Sequence, residues 1–377
     1  MTNLLTAHEL CAALQLRDLS DPGQGPHAMQ ILLDEVVEAL APTWECAVDV
    51  QRRRPLVAVE DNYDRLGYSS GDIVRDARYS RYAAETVMLR SHTTAGIPPA
   101  LRRLATDHRH EPAADMLLAL PGLCYRRDSI DRLHVGTPHQ VDLWRITTAR
   151  MHDTDLMEMA GLVVEAVLPG ARWRAVAAKH PYTETGLQLD VETATGWVEL
   201  AECGLAAAHV LARAGLNPER WNGLALGMGL DRAVMLRKGV DDIRLLRSAD
   251  PRIAAQMLDL SRWQSVSAYP SIRRDLSIVT GSADAELLGG AVRTALGAAA
   301  DDLESMSILS STPYEQLPSA ARARLGLRPD QVNVVLRLVV RPLGGTLTAE
   351  QANRLRDDVY AAVHEGPNWE WATRCDA

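Results

Sequence analysis

The chain has 377 residues, of which 47% are hydrophobic and 24% charged, and a formal net charge of −9. That length and composition fit a soluble chain of one large and one small domain, and the acidic balance gives no bulk case for nucleic-acid binding, so any RNA contact must be a local basic patch. No stretch approaches the roughly 20 apolar residues of a membrane span, the opening MTNLLTAHELCAALQL lacks the basic lead and cleavage site of a signal peptide, and five scattered cysteines, none paired at metal-ligand spacing, fit a reducing cytosol.

In chain order, Ala7–Leu16 reads as a short helix, followed by a turn over Asp21–Gly25. From Pro26 to Leu40 the residues Met29, Ile31, Leu32, Val36, Val37 and Leu40 recur at helical spacing, which predicts an amphipathic helix that Pro42 ends. Trp44–Val50 alternates as a strand. A helix over roughly Ala100–Asp107 precedes an apolar run, Leu117–Cys124, broken by Pro121 and Gly122. Arg126 and Arg127, a polar segment with Asp131 and His134, and a Gly136–Pro138 turn then lead into a second alternating run, Gln140–Ile146. The pattern predicts strand, long loop, strand. Arg126 and Arg127 fall on opposite faces of a strand, so only one meets a given ligand. An arginine fixed beside a polar loop suits a phosphate, because its guanidinium is planar, always charged and binds two oxygens at once. A surface hairpin with solvated charges is the other reading of this spacing.

Thr154–Leu168 predicts a helix whose Leu156, Met159, Leu162, Val163 and Val167 form a core-facing stripe. Gly223–Arg232 is a glycine-rich passage from strand to helix, where missing side chains allow close packing. Ser267–Ala377 reads as a separate domain. A strand follows Tyr269-Pro270, then a helix over Ala285–Ala300, strands near Met306–Leu309 and Val332–Val340, and a helix capped by Thr348 that runs to Val363. The order β-α-β-β-α-β is the ferredoxin-like split motif. Acidic residues outnumber basic ones there, so RNA binding would need a charge-sorted face.

These segments resemble, box by box, the class II aminoacyl-tRNA synthetases in the form used by phenylalanyl-tRNA synthetases. Tyr125, Arg126, Asp128, Asp131, His134, His139, Gln140 and Asp142 fall without a gap on motif 2 of that family. Departures stand at Arg132, Leu133, Pro138, Asp142 and Leu143. Asn62-Tyr63-Asp64-Arg65-Leu66 and Leu89-Arg90-Ser91-His92-Thr93-Thr94 resemble two further boxes, the second facing the amino-acid pocket. A glutamine that the family places three residues later is Ile97 here. Ala175–Val191 resembles the aromatic-rich strand, with its two phenylalanines replaced by His180 and Tyr182. Trp197–Gly204 resembles the box that carries a Mg²⁺ carboxylate, here Glu199, and Glu202 replaces a glycine in it. Gly223–Arg232 resembles motif 3, continued by Asp242-Ile243-Arg244-Leu245, Ser248, Asp250-Pro251-Arg252 and Gln256.

The resemblance implies an α+β fold: a class II antiparallel sheet flanked by helices over 26–262, after an N-terminal extension of 1–25. It also implies a ferredoxin-fold anticodon-binding-like domain over 267–377, the arrangement of single-chain, organellar-type phenylalanyl-tRNA synthetases. The implied activity is ATP-dependent activation of phenylalanine or a close aromatic analogue as the aminoacyl-adenylate, with Mg²⁺, and transfer to tRNA in the cytoplasm. Arg126 would hold the α-phosphate, Arg232 the γ-phosphate, Glu199 a Mg²⁺, and His134 would sit near the pyrophosphate. Gly227 and Gly229 would leave room for the adenine. Gln140 and Asp142 would bind the substrate ammonium, while His92, Thr94, His180, Tyr182, Glu202 and Ala225 line the amino-acid pocket. The helix–strand unit after Pro26 stands where class II enzymes carry motif 1, usually a dimer interface, but its proline is not clearly matched, so monomer and homodimer both stay open. A carboxylate at 202 should narrow the site or meet a substrate cation, and polar groups at 180 and 182 can reject a purely apolar side chain. Two further readings are a paralogue that activates a different amino acid for specialised metabolism or resistance, and a non-catalytic regulator, against which Arg126, Glu199 and Arg232 speak. The chain contains no phenylalanine at all, which would suit a stand-by enzyme made when charged Phe-tRNA is scarce.

Overall fold

The computed structural model describes residues 4–76, 78–107, 114–266 and 269–368. The chain divides into two compact units. The first takes in the residues up to Arg126, Thr137–Asp241 and Pro251–Gln264, and the second Arg127–Gly136, Asp242–Asp250 and the chain from Ser265.

The first unit opens with helix α1 (Ala7–Leu14), whose Thr6 and Glu9 form a reciprocal capping box. Helix α2 (Ala28–Trp44) follows, burying Met29, Leu32, Leu33, Val36 and Leu40 on one face. Pro42 does not end it. The proline stands in the last turn and forfeits one hydrogen bond, the Thr43 hydroxyl back-bonds to the Ala39 carbonyl, and the stop comes at Glu45 in the left-handed region, φ 51°. Next come strands β1 (Ala47–Val50) and β2 (Leu56–Ala58), the single turn α3 (Val59–Asn62), strands β3 (Arg81–Ala84) and β4 (Val87–Leu89), and helix α4 (Ile97–Asp107). Pro98 and Pro99 sit in the first turn of α4, where no backbone donor is lost.

Strands β5 (Asp115–Leu123) and β6 (His139–Thr147) pair antiparallel along their whole length. Pro121 and Gly122 do not interrupt β5. The ladder to β1 stops at Val50 opposite Ala119, so Pro121 lies past it and has no bond to forfeit on that side. Helix α5 (Asp153–Val167) then leads to β7 (Trp173–Ala177), β8 (Thr183–Thr193), β9 (Gly196–Ala206), helix α6 (Ala208–Arg213), β10 (Asn222–Gly229), helix α7 (Leu230–Lys238) and the single turn α8 (Pro251–Ala254). The segment Ala175–Val191 is thus a hairpin rather than one strand, turning over residues 178–182 around Pro181, with the Ala178 N–H bonded to the Gly186 carbonyl. A seven-stranded sheet results, in the order β1-β5-β6-β10-β9-β8-β7, antiparallel except for β1 against β5. Helices α2, α5 and α7 pack together on one face of it. The unit is of mixed α+β type, an antiparallel-rich sheet flanked by helices, as the resemblance implies.

The second unit is built on β11 (Ile272–Thr280), helix α9 (Ala285–Leu296), β12 (Leu303–Pro313), the short helix α10 (Ser319–Leu325), β13 (Val332–Val340) and helix α11 (Ala349–Val363), which Thr348 and Gln351 cap. Its sheet has the order β11-β13-β12, with both neighbours antiparallel to β13. The final strand of the expected split motif falls after Val363, and residues 369–377 lie outside the described residues.

Candidate active site

The register of the central strands sets the floor of the site. Gly227 on β10 stands opposite Asp142 on β6 and opposite Glu202 on β9. Directly paired residues share a face, so both carboxylates rise from the same side of the sheet, flanking a strand without a side chain. One step along, Gly229 faces Gln140; in the other direction, Ala225 faces Trp144 and Gly204. Period-two alternation therefore puts Ala225, Gly227 and Gly229 on the open side and sends Leu224, Leu226 and Met228, all buried, to the other. At the Ala225 end this open side is roofed by α4 and α6, through Ile97, Leu101, Leu104, Val210 and Leu211. A side chain built at Gly227 meets nothing within 4 Å.

Asp142 is buried and accepts three hydrogen bonds, from Thr93 Oγ1 (2.7 Å), Thr94 Oγ1 (3.1 Å) and Trp144 Nε1 (3.1 Å). All three donors are neutral. Burial outweighs them and pushes the carboxyl up to about 6. A buried carboxylate with neutral donors only is a counter-ion without its cation. Gln140, two residues before it on the same face, accepts from Cys124 Sγ at 3.3 Å.

Rings line one side. Tyr68 stacks on His92 at 5.8 Å and tilts against Tyr182 at 6.4 Å; Tyr182 lies 6.2 Å from Trp144 and stacks on His180 at 5.5 Å. Both ring nitrogens of His92 are buried without a hydrogen bond, and only the Asn62 backbone pulls toward the protonated form. Burial, then the Arg126 guanidinium, push His92 down to about 4, so it is a neutral imidazole. The Tyr182 phenol is pushed well up by burial, and its hydroxyl bonds with Thr94. His180 is held at both nitrogens: Nε2 lies 2.9 Å from Glu202 Oε2 and Nδ1 3.3 Å from Thr183 Oγ1. The extra carboxylate at 202 therefore meets an internal imidazole.

Arg126 lies just past β5. It does not continue that strand: the Cys124 N–H still bonds the Pro138 carbonyl in register with β6, but the Tyr125 N–H turns to the Arg90 carbonyl. Arg126 and Arg127 thus do not alternate across a strand; they fall in a loop and part between the two units. Arg232, in the first turn of α7, donates to the Glu199 carbonyl at 3.2 Å and has Glu199 Oε1 at 4.0 Å. Burial raises the Glu199 carboxyl, and the charges of Arg232 and Arg126 oppose that rise. Both guanidinium groups thus act on one carboxylate. Among the described residues no group of three or more His, Cys, Asp and Glu is placed to hold a metal. A Mg²⁺ here would rest on Glu199 and on oxygens that a phosphate brings, which fits a half-exposed carboxylate with a raised pKa.

His134 is grouped with the second unit, where its Nδ1 lies 2.8 Å from Asp131 Oδ2. His139, next to Gln140, points away from the floor. Its Nε2 accepts the Leu19 N–H at 2.9 Å, so Nδ1 carries the proton toward Asp231 Oδ1 at 3.1 Å. The N-terminal extension and the start of α7 are joined through that ring. Sequence reasoning passed over Thr93, Trp144 and Tyr68. The alternation that places Asp142 also places Trp144, two residues on; Tyr68 stands in a loop and carries no local signal.

Residues 38–257 match the family model of tRNA synthetases class II core domain (F). The phenylalanine--tRNA ligase alpha subunit of Prochlorococcus marinus (strain MIT 9313) is 31% identical over 252 residues, 60% of this chain and 71% of that protein. The subunit of the same name from Acaryochloris marina (strain MBIC 11017) is 30% identical over 195 residues, 52% of this chain and 56% of that protein. The chain thus spans little more than half the length of this second relative. Among solved structures, Desulfitobacterium hafniense PylSc, a pyrrolysyl tRNA synthetase, matches with a TM-score of 0.44 at 17% identity, covering 59% of this chain and 73% of that one. With more than half of its length on the family model, the chain belongs to the class II tRNA synthetases of the F core-domain family.

Proposed function

We propose that the protein is an aminoacyl-tRNA ligase that activates phenylalanine or a close aromatic analogue with ATP and transfers it to tRNA. The observation that carries this reading is the convergence of Arg126 and Arg232 on Glu199, beside a side-chain-free strand that ends at the uncompensated carboxylate of Asp142. Asp142 and Gln140 take the substrate ammonium. Arg126 takes the α-phosphate and Arg232 the γ-phosphate, each as a fixed charge on a rigid segment, so positioning and charge stabilisation do the catalytic work. Glu199 takes a Mg²⁺, which when bound neutralises phosphate charge. His92, as a neutral imidazole, serves the amino-acid substrate, and Gly229 leaves the adenine its room. His134 belongs near the leaving pyrophosphate.

The second unit, from residue 267 on, is read as a ferredoxin-fold anticodon-binding-like domain of a single-chain ligase. Its order, β-α-β-β-α but for the short helix α10 between β12 and β13, and its β11-β13-β12 sheet support that reading, and we take tRNA as partner, a cytoplasmic setting and a monomer or homodimer as the working form. A paralogue that activates a different amino acid is the second reading, favoured by the His180–Glu202 pair in place of two apolar positions.

Arg126→Ala tests the assignment. ATP–pyrophosphate exchange is expected to fall by at least about a thousandfold, with an unchanged circular dichroism melt. Exchange near the wild-type rate would remove Arg126 from the reaction.

A further inference from the structure

Building on the ligase reading, we infer that the amino acid selected by this site is a ring-hydroxylated aromatic amino acid, whose hydroxyl donates to the free oxygen of Glu202. Three observations lead there. The first is the row Asp142–Gly227–Glu202 across β6, β10 and β9. Its ends are two strand spacings apart, about 10 Å between Cα atoms, and both side chains rise over an empty glycine. A substrate that meets both carboxylates therefore crosses the glycine with a polar group at each end. The second is the difference between the two ends. Asp142 has three neutral donors, and the Arg90 charge, the smallest of the effects on it, does not offset its burial, the setting for an α-ammonium. Glu202 has spent one oxygen on His180 Nε2, and its other oxygen has no protein partner among the described residues. That oxygen accepts and cannot donate, so it calls for an O–H or N–H on the substrate.

The third is that the neighbouring polar groups are committed. His180 Nδ1 faces Thr183, and the Tyr182 hydroxyl is bonded with Thr94. What remains between the two carboxylates is a slot edged by the rings of Tyr182, Tyr68 and His180, which suits an aromatic ring. Phenylalanine would satisfy the rings and leave the carboxylate oxygen to water. The Glu202 side chain is 39% exposed, so water softens that loss; discrimination is expected to be about ten- to a hundredfold, below what a fully buried polar site reaches.

The test uses the full chain in ATP–pyrophosphate exchange with phenylalanine and its ortho-, meta- and para-hydroxy derivatives. At least one hydroxylated substrate is expected to exceed phenylalanine about tenfold or more in kcat/KM. The double variant His180→Phe, Glu202→Gly is expected to reverse the order. As a readout independent of turnover, the preferred substrate alone should raise the wild-type Tm more than phenylalanine does. Phenylalanine equal to or better than every hydroxylated substrate overturns the inference and leaves the ligase reading standing, since exchange is then observed. A hydroxyl preference that persists in Glu202→Gly also overturns it. Absence of exchange with any amino acid overturns the ligase reading itself, and the inference with it.

Discussion

Asp142 is one of the departures from the motif 2 pattern, and the structure shows how its short side chain is held. Two threonine hydroxyls and an indole N–H fix it in place, yet none brings positive charge. Burial therefore wins, and the carboxyl rises from its ordinary 3.8 to about 6. The sign of the consequence follows. Above about pH 6 the group is ionised and waits for an ammonium; as pH falls through 6 it takes a proton and the ammonium loses its counter-charge. KM for the amino acid is expected to climb by up to about tenfold per pH unit below 6, while KM for ATP holds steady. Asp142→Asn should raise KM at neutral pH and abolish the inflection. A flat KM profile between pH 5 and 7 in the wild type would show that Asp142 does not meet the ammonium. The carboxylate itself was readable from the chain because its neighbours Gln140 and His139 come in a fixed pattern. Its donors were less so. Thr93 and Thr94 approach it from a box nearly 50 residues earlier, and only the fold brings them there. The same holds for the His180–Glu202 pair: the two replacements were visible singly, but their compensation of one another is a fact of β8 and β9 lying side by side.

At the scale of elements, glycines at two places in the sheet do opposite jobs. Gly122, near the end of β5, has φ 145°, and a Cβ there would strike the Arg90 guanidinium, which is itself buried and bonded to the Leu123 carbonyl at 2.7 Å. Gly227, in β10, has open space above it. Gly122→Ala is therefore expected to destabilise the chain by about 2–4 kcal/mol, seen as a lower urea midpoint. Gly227→Val, by contrast, adds a β-branched residue to a strand that has room for it, so stability should stay within about 0.5 kcal/mol while KM for the amino acid rises at least about tenfold. Equal losses of stability in the two variants would refute the contrast. Alternation and capping residues made most elements legible: the bounds of α11 and β13 follow directly from Thr348 and from Val332–Val340. Prolines misled. Pro42 and Pro121 read locally as breakers, but each occupies a place where the backbone has little to lose, in a last turn and beyond the end of a neighbouring strand.

At the scale of the whole molecule, the division into units does not follow a single cut in the chain. Residues Arg127–Gly136, which leave β5 and return to β6, and Asp242–Asp250 belong with the second unit. Ile130 is buried in that unit's core among Leu276, Ile278, Leu288, Leu336 and Val359. Its carbonyl accepts the Met306 N–H at 2.8 Å, Arg293 donates to the carbonyls of Asp128 and Ser129, and Arg132 pairs with Glu304 at 2.9 Å. A Cβ at Gly289 would fall 2.6 Å from the Asp128 carbonyl, so α9 needs a glycine there to come so close. The order of strands and helices set a domain start at Ser267, and it misses this sharing because the inserted segment is too short to show a core pattern of its own. The consequence is testable with fragments. A piece beginning at Ser265 lacks Ile130 and leaves Arg293 buried without its carbonyl partners; a piece ending at Gln264 keeps Ile130 but has nothing to bury it in. Losing one such isoleucine costs about 2–5 kcal/mol, a large share of the stability of a domain this size. The 265–377 fragment is therefore expected to melt well below the corresponding transition of the intact chain, and Ile130→Ala in the intact chain should lower that same transition. A fragment that unfolds cooperatively at the intact chain's midpoint would show that the second unit does not depend on residues 127–136.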